Sequence, residues 1–297
     1  MSPLWRFSSC PICQASNQKE VFCYSSFRYV RCCQCGLVWM NPLFKDDYLE
    51  DDYEKLDWSA YNHFISTFRK KQFQRDITFL EKFCSEKGYL LDIGTGTGEF
   101  LGMAQQHGFV AYGLESSKKA GEQASKYGQV IIGEFETLKL KENFFKVITL
   151  WSVLEHVPQP KEFLIKAHRL LQDGGLLALR LPLSSSLINW LSLWAYKLSG
   201  HRLSWPLRHF YQLDWHSRHY YLFTKTSLLL LLKRTGFQPL WLKRDSGFDP
   251  PSLKFRLRLS FQNWFFERIL FTLAWIIFGL AKFLQKEDEL VLIARKI

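Results

Sequence analysis

The sequence lacks a hydrophobic run of the length usual for a membrane-spanning helix. Its most apolar segment, Ile269–Ala281, holds thirteen uncharged residues between Arg268 and Lys282. As a helix this segment would be about 20 Å long, whereas the hydrocarbon core of a bilayer is about 30 Å thick. Met1–Cys10 also lacks the apolar stretch of a secretory signal, which favours a cytoplasmic, reducing location. No internal repeat or low-complexity tract is present, so we expect a globular protein.

Acidic residues are scarce in the second half of the chain. The segment 183–286 has fifteen Lys and Arg residues against four Asp and Glu residues, and it holds seven of the eleven Trp residues. This segment alone accounts for the net charge of +11. Basic, Trp-rich segments are typical of proteins that meet phospholipid or nucleic acid. The alternative is that Lys and Arg solvate helices whose aromatic side chains face a core.

Two apolar stretches lie in this basic segment, at 183–200 and 265–284. The first contains one charged residue, Lys197, and the second contains the uncharged run described above. Their Trp residues and cationic flanks favour helices that lie on a membrane surface, at its inner face. A buried position, an oligomer contact and a spanning helix are the alternatives. Because the basic residues alternate with apolar runs, nucleic acid is the less favoured partner.

Cysteine is concentrated in the first 35 residues, which hold six of the seven Cys residues. Cys10 and Cys13 form one C-x-x-C pair, Cys32 and Cys35 form another, and eighteen residues separate the pairs. Four thiolates at this spacing suit tetrahedral zinc; reduced cysteines without a metal are the alternative. Because four sulfur ligands leave no open position, we expect a structural zinc. The predicted zinc-ribbon module spans residues 1–45, and because it is too small to build much core, we expect metal binding to supply part of its folding energy.

From residue 88 onward, short apolar strands alternate with helices. This alternation predicts an α/β fold, a Rossmann-like, doubly wound, seven-stranded sheet with helices on both faces. The main domain is then 88–297, with apolar helical insertions at about 183–215 and 243–286. The predicted strands are Tyr89–Ile93, Val110–Glu115, Val130–Gly133, Lys146–Trp151, Leu176–Leu181, Phe237–Leu242 and Glu289–Arg295.

Residues 46–87 precede this domain and are predicted to form a helical connector or cap. Their apolar residues recur at roughly helical spacing, which favours one or two helices. The residues that carry this pattern are Phe64, Phe68, Phe73, Ile77 and Leu80.

A glycine-rich turn follows the first predicted strand. Glycines let the backbone turn sharply and approach a ligand closely. Glu115 ends the second strand about twenty residues later, where a carboxylate can accept hydrogen bonds from both ribose hydroxyls of a nucleotide-like cofactor. The candidate cofactor-binding residues of the turn are Asp92, Gly94, Thr95, Gly96 and Gly98.

Several motifs, in order, resemble those of class I S-adenosylmethionine-dependent methyltransferases. Besides the glycine turn they are L-E-H-V at 154–157, L-L-Q-D-G-G-L-L-A-L-R-L-P at 170–182 and H-x-x-x-F-T at 219–224. The resemblance implies an enzyme whose glycine turn meets the methionine part of S-adenosylmethionine and whose Glu115 holds the ribose. It also implies cofactor contacts from residues near the adenine and the sulfonium, namely Ser116, Glu134, Phe135, Glu136, Leu150 and Trp151.

The cysteine-rich segment R-C-C-Q-C-G-L-V-W-M-N-P at 31–42 is similar to the zinc-binding segment of some small-molecule methyltransferases, including sugar C-methyltransferases.

The sequence also departs from the family. Lys146 stands where an Asp is usual, and Leu183 stands where an Asn often follows Pro. Ser152 replaces the first Glu of the E-x-x-E-H metal site of ubiquinone O-methyltransferases, which argues against a catalytic magnesium site.

Histidines after the fourth strand are the candidate bases, because imidazole titrates near neutrality and this loop faces the reacting methyl group. His156 is the first candidate catalytic residue, His219 the second and His216 the third. The alternative for His156 is that it hydrogen-bonds a backbone carbonyl and only holds the loop, with Glu155 orienting it.

The acceptor is predicted from its surroundings. Apolar, aromatic and basic insertions favour a small-molecule or membrane-associated acceptor, such as a lipid-linked sugar, a quinone precursor or another lipid. An RNA methyltransferase is one alternative, but the N-P-P-Y or D-P-P-Y motif of base N-methyltransferases is absent after the fourth strand. The other alternative is a non-enzymatic scaffold that uses the zinc ribbon and the apolar helices as binding surfaces.

Overall fold

A computed structural model describes residues 3–44, 58–84, 86–214, 217–248 and 264–297, together with residues 250, 253, 254 and 257. The strands are β1 (Pro3–Trp5), β2 (Gln18–Tyr24), β3 (Phe27–Cys32), β4 (Val38–Met40), β5 (Leu43–Phe44), β6 (Tyr89–Ile93), β7 (Val110–Glu115), β8 (Gln129–Ile132), β9 (Phe145–Trp151), β10 (Leu171–Pro182), β11 (Tyr221–Leu222), β12 (Phe237–Asp245) and β13 (Glu289–Lys296). The helices are α1 (Trp58–Glu81), α2 (Glu99–Gln106), α3 (Lys118–Ala124), α4 (Pro160–Leu170), α5 (Leu187–Leu198), α6 (Trp205–Phe210), α7 (Lys225–Arg234) and α8 (Trp264–Phe283).

The main sheet has seven strands in the order β12-β13-β10-β9-β6-β7-β8. Strands β10, β9, β6, β7 and β8 run parallel, and β13 is antiparallel to both of its neighbours. The predicted seven-stranded α/β sheet is therefore confirmed. Two strands exceed their predicted length by three residues or more. Strand β10 begins at Leu171 and contains an irregularity before Leu176, while β12 runs to Asp245, into the predicted second insertion.

Helices cover both faces of this sheet, as a doubly wound fold requires. On one face the core includes Phe163 of α4 and Leu228 of α7, packed with Leu91 and other strand residues. On the other face it includes Phe73 of α1 and Phe100 of α2. Because both faces are covered, the central strands read as continuous apolar runs rather than alternating ones.

The described residues of the cysteine-rich module share one hydrophobic core with the main domain. Strands β2, β3 and β4 form a four-stranded sheet with β11, which comes from the main domain. The backbone N–H of Met40 donates to the Tyr220 carbonyl at 2.9 Å, and Thr224 Oγ1 donates to the Cys35 carbonyl at 2.7 Å. A module of this size cannot bury enough apolar surface alone, and it packs into the same core as α4 and α7.

The described part of the connector, from residue 58 onward, contains one helix, α1, which is held to the sheet by a buried ion cluster. Arg180 of β10 is fully buried and pairs with Asp76 of α1 at 2.7 Å, Asp245 at 3.0 Å and Glu289 at 2.6 Å. Phe73, Ile77 and Leu80 are buried, as predicted from their spacing. The side chains of Phe64 and Phe68 lie outside the described residues.

The two insertions form helices that pack on each other. Helices α5 and α6 follow β10, and α8 precedes β13. Helices α5 and α8 are in contact. Within the described residues, no helix is long and apolar enough to span a membrane. The exposed faces of α5 and α8 carry large apolar side chains, including Trp190, Trp194, Trp275 and Ile276.

Candidate cofactor site and histidine cluster

Strand register brings the predicted site residues to one edge of the sheet. Ile93 at the end of β6 lies opposite Leu114 of β7 and Leu150 of β9. The next residues along the chain are Gly94, Glu115 and Trp151, and they therefore lie side by side where the three strands end. This is the carboxyl edge of the parallel strands, where ligands bind in open α/β sheets.

The glycine turn adopts a backbone that L-residues rarely use. The φ angles of Gly94, Gly96 and Gly98 are 70°, 58° and 89°. A Cβ at Gly94 would lie 2.6 Å from Cγ2 of Val153, so the turn packs closely against the loop after β9. A Cβ at Gly96 would meet nothing within 4 Å. The turn is thus closed on the Gly94 side and open above Gly96, where a ligand can approach the backbone.

Glu115 is buried beside this opening. Its Oε2 accepts a hydrogen bond from the Gly96 N–H at 2.8 Å, and its Oε1 accepts one from the Ser117 N–H at 3.0 Å. Burial raises the pKa of Glu115, and the backbone hydrogen bonds oppose that shift. Because each carboxylate oxygen has two lone pairs, the group has acceptor capacity left for a ligand.

Asp92 ties the turn to the sheet rather than facing the opening. Its Oδ2 accepts from Thr95 Oγ1 at 2.7 Å, and its Oδ1 accepts from Thr149 Oγ1 at 2.6 Å. Burial raises the pKa of Asp92 to about 7. Thr149 was not a predicted site residue, and only a spatial pairing of the first and fourth strands could have identified it.

The loop after β8 is held by a lysine that the sequence did not single out. Lys166 of α4 donates to the carbonyls of Phe135 and Leu138 at 2.5 and 2.6 Å. Phe135 is buried and its ring centroid lies 4.5 Å from that of Phe163. Glu134, Glu136 and Ser116 are exposed. The predicted adenine loop is therefore anchored through Phe135 and presents its carboxylates to solvent.

Leu150 and Trp151 point into cores on opposite faces of the sheet. The Trp151 ring centroid lies 5.0 Å from that of Phe100 and 6.5 Å from that of Phe73. Within the described residues, the buried indole N–H of Trp151 has no hydrogen-bond acceptor. Contact of Leu150 and Trp151 with the cofactor stays a prediction. The backbone at the end of β9, rather than either side chain, reaches the carboxyl edge of the sheet.

The structure brings His156 and His219 together, with ring centroids 5.0 Å apart. His156 Nδ1 lies 2.8 Å from the Arg218 carbonyl oxygen, and His219 Nδ1 lies 2.9 Å from the Phe210 carbonyl oxygen. Burial lowers the pKa of His156 to about 4, so the ring is neutral. His216 lies outside the described residues.

Glu155 completes this cluster, although the sequence suggested only an orienting role for it. The side chain is 1% exposed, and burial raises its pKa to about 8. Its Oε1 lies 4.0 Å from His156 Nε2. In the part of the chain that the structure describes, neither carboxylate oxygen has a hydrogen-bond partner.

The four predicted zinc ligands also converge. The sulfurs of Cys10 and Cys35 are 3.6 Å apart, those of Cys13 and Cys32 are 3.4 Å apart, and all four lie within 4.8 Å of one another. Tetrahedral zinc with bonds of about 2.3 Å needs sulfurs about 3.8 Å apart. Cys23 and Cys33 are exposed and do not belong to the cluster.

A sequence model of the family described as "Methyltransferase domain" matches residues 62–241, more than half of the chain. The chain belongs to this family. The predicted family, an S-adenosylmethionine-dependent methyltransferase, is thereby confirmed, and it agrees with the seven-stranded sheet. The matched region contains the glycine turn, Glu115 and the histidine cluster, and it leaves the cysteine pairs outside.

Similar proteins support the fold and cover only part of the chain. An uncharacterized protein of Methanocaldococcus jannaschii is 32% identical over 131 residues, which span 44% of this chain and 57% of that protein. A ubiquinone biosynthesis O-methyltransferase of Coxiella burnetii is 28% identical over 120 residues, which span 38% of this chain and 49% of that protein. The chain thus spans about half the length of these curated relatives.

Solved structures agree with the fold at low sequence identity. A chain from the complex of the Haloferax volcanii Trm112 methyltransferase activator with a methyltransferase has a TM-score of 0.57 and 13% identity, covering 84% of this chain and 97% of that one. A protein of Pyrococcus horikoshii has a TM-score of 0.53 and 14% identity, covering 83% and 99%. At these identities the likeness concerns the fold alone.

Proposed function

We propose that this methyltransferase transfers the methyl group of S-adenosylmethionine to a small-molecule acceptor, and that its cofactor lies over Gly96. The observation that carries the proposal is the opening above Gly96 beside the buried Glu115 carboxylate. Glu115 is held by the Gly96 and Ser117 amides, so its position is fixed before a ligand arrives. Its remaining lone pairs would accept hydrogen bonds from the ribose hydroxyls.

The rest of the cofactor would extend to both sides of Glu115. The closed side of the turn, where Gly94 packs against Val153, would meet the methionine part. The loop of Glu134, Phe135 and Glu136, anchored by Lys166, would flank the adenine. Methyl transfer is an in-line displacement, so the chain's main contribution is to align acceptor, methyl group and sulfur away from water.

The acceptor would be bound next to the histidine cluster. His156 and His219 each have Nδ1 beside a backbone carbonyl, which only accepts hydrogen bonds, so Nδ1 is placed to donate and Nε2 is the nitrogen of each ring that would take a proton. Lone pairs at this place suit an acceptor whose proton must leave before or during methyl transfer. We therefore propose both residues as catalytic, with Glu155 as a third member of the cluster.

We further propose that the acceptor is membrane-associated and that α5 and α8 meet the lipid surface. Trp190, Trp194 and Trp275 are each about half exposed, and Ile276 is 54% exposed. Exposed apolar faces of this extent mark interaction sites. Trp residues beside basic residues such as Arg268 suit the interface of an anionic bilayer. These helices flank strands β10 and β13, next to the carboxyl edge.

The cysteine cluster is proposed to bind a structural zinc ion. The sulfur spacings fit a tetrahedral ion after a small contraction or expansion. The Gln34 and Cys35 backbone amides approach Cys32 Sγ at 3.4 and 3.5 Å, and such bonds stabilise a thiolate ligand. Three of the four Cys residues are buried, so this ion would hold the module together and leave no site for substrate.

Calorimetric titration with S-adenosylhomocysteine tests the cofactor site. The zinc-loaded chain should bind it with micromolar affinity, and Glu115→Ala should lose that binding while Glu115→Gln weakens it. Glu122→Ala, which removes an exposed carboxylate from α3, is the matched control and should bind normally. Absence of binding to the folded, unsubstituted protein would remove the methyltransferase proposal and favour a scaffold.

Sedimentation with vesicles tests the membrane proposal. The protein should bind vesicles that contain anionic phospholipid at low salt, and Ile276→Ser should weaken binding several-fold. Ile132→Ser changes a similarly exposed isoleucine on β8, at the other edge of the sheet, and should leave vesicle binding unchanged. If the unsubstituted protein does not bind these vesicles, the membrane-associated acceptor is ruled out and a freely diffusing one takes its place.

A further inference from the structure

A carboxylate and two imidazoles converge in the loops that follow β9 and precede β11. The candidate ligand atoms of Glu155, His156 and His219 all lie within 4.8 Å of one another. Glu155 is 1% exposed, and within the described residues neither of its oxygens has a hydrogen-bond partner. A buried carboxylate without a partner is costly. Among the described residues, the cluster therefore lacks a group that hydrogen-bonds or coordinates the Glu155 carboxyl.

Both imidazoles are oriented by backbone carbonyls. Each Nδ1 lies beside a backbone carbonyl oxygen, of Arg218 for His156 and of Phe210 for His219. Each Nδ1 is thus placed to donate to that carbonyl, and Nε2 is the nitrogen of each ring that would coordinate an ion. In metal sites, the ring nitrogen of a histidine that does not bind the metal often donates to a backbone carbonyl, and this hydrogen bond orients the ring toward the ion.

We propose that Glu155, His156 and His219 bind a divalent transition-metal ion, in addition to the ion held by the four cysteines. Two imidazole nitrogens and one carboxylate oxygen are donors that suit zinc, iron(II), cobalt(II) or manganese(II) better than magnesium or calcium. His156 Nε2 and Glu155 Oε1 are 4.0 Å apart. Neighbouring ligands of an ion with bonds of about 2.1 Å lie about 3 Å apart, so binding requires these side chains to draw together by about 1 Å.

This set of ligands differs from the E-x-x-E-H pattern considered above. Ser152 stands where that pattern has its first Glu, and His219 enters instead from a segment sixty residues further along the chain. Three protein ligands leave coordination positions open. With the proposed cofactor at the same edge, an open position would take an oxygen of the acceptor, and the two imidazoles would then act as metal ligands in place of the bases proposed above. That consequence rests on the proposed function, whereas the metal site itself does not.

Metal stoichiometry of the full chain tests the site directly. The protein, loaded with zinc at the cysteines, is equilibrated with cobalt(II) and its metal content is measured by mass spectrometry. We expect a second ion in the unsubstituted protein and its loss in Glu155→Gln and His219→Ala. His107→Ala is the matched control, because His107 Nδ1 lies 3.2 Å from a Glu81 oxygen at the surface, and it should keep the second ion.

The absorption of cobalt(II) separates the two sites. Cobalt bound by thiolates has intense charge-transfer bands, whereas the proposed site should add only weak ligand-field bands. A single ion in the unsubstituted protein, or a second ion retained by both Glu155→Gln and His219→Ala, overturns the proposal. Circular dichroism confirms that each variant is folded. Binding of S-adenosylhomocysteine is measured on the same samples, so loss of the cofactor site and loss of the metal site are distinguished.

Discussion

The hydroxyl of Tyr29 links the cysteine module to the histidine cluster, and its removal should affect both stability and catalysis. Tyr29 of β3 is fully buried, and its hydroxyl donates to the backbone carbonyl of His219 at 2.8 Å. Tyr29→Phe keeps the ring and removes only this donor. A buried carbonyl that loses its hydrogen bond costs about 1–3 kcal/mol. We therefore expect the free energy of unfolding to fall by that amount.

Tyr196→Phe is the matched control for this change. Tyr196 of α5 is also buried, and its hydroxyl donates to the Cys23 carbonyl at 2.9 Å, a hydrogen bond that does not involve His219. Both variants should lose similar stability in urea titrations monitored with zinc in excess. Only Tyr29→Phe should also lower kcat, by about tenfold or more, because small displacements of a positioned group are costly.

The comparison of the two variants decides the reasoning. Equal kcat for Tyr29→Phe and Tyr196→Phe would show that the module stabilises the domain without positioning His219. A fall in kcat for Tyr29→Phe with unchanged affinity for S-adenosylhomocysteine would place the effect at the histidine cluster. A loss of cofactor affinity in Tyr29→Phe would contradict the assignment, because Tyr29 contacts no residue of the glycine turn among its described hydrogen bonds.

Further predictions concern buried charge and the anchoring of loops. Arg180→Met should cost about 3–5 kcal/mol in urea titration, because it leaves Asp76 buried without its counter-charge; an unchanged midpoint would contradict this. Since the pKa of Asp92 is raised to about 7, the free energy of unfolding of the unsubstituted protein should fall by up to about 4 kcal/mol as the pH rises from 4 to 7. Asp92→Asn should weaken this pH dependence. Lys166→Met should speed amide exchange in residues 135–138 and weaken S-adenosylhomocysteine binding; equal exchange rates would refute the anchoring role. Chelation of the zinc ion proposed at the four cysteines should abolish the protection of backbone amides in β2 to β4 from hydrogen exchange.

The succession of strands and helices along the main domain could be predicted because local signals are strong there. Leu90–Ile93 and Val147–Leu150 are apolar runs of strand length, and Gly94 to Gly98 mark the turn between strand and helix. The two C-x-x-C pairs likewise identify their own partners by spacing. In each case the information lies within a few residues of the chain, and the fold does not have to be known first.

Features that depend on distant segments could not be predicted in this way. Strand β11, at Tyr221–Leu222, is too short to give a periodic signal, and it pairs with a strand about 180 residues earlier. Thr149 looks like any core threonine until β6 and β9 are adjacent. The sequence suggested only that Glu155 orients His156. Its burial beside His219 follows from tertiary packing alone.

The position of β13 has a consequence for how the chain is made. Residues 289–296 are synthesised after the other six strands of the sheet, yet β13 lies between β10 and β12. Until this segment leaves the ribosome, β10 and β12 both expose unpaired backbone along an apolar edge, and such edges recruit other strands. A nascent chain arrested before Glu289 should therefore depend on chaperones. Completion of the domain should come as one late step, when β13 closes the gap and brings Glu289 to Arg180.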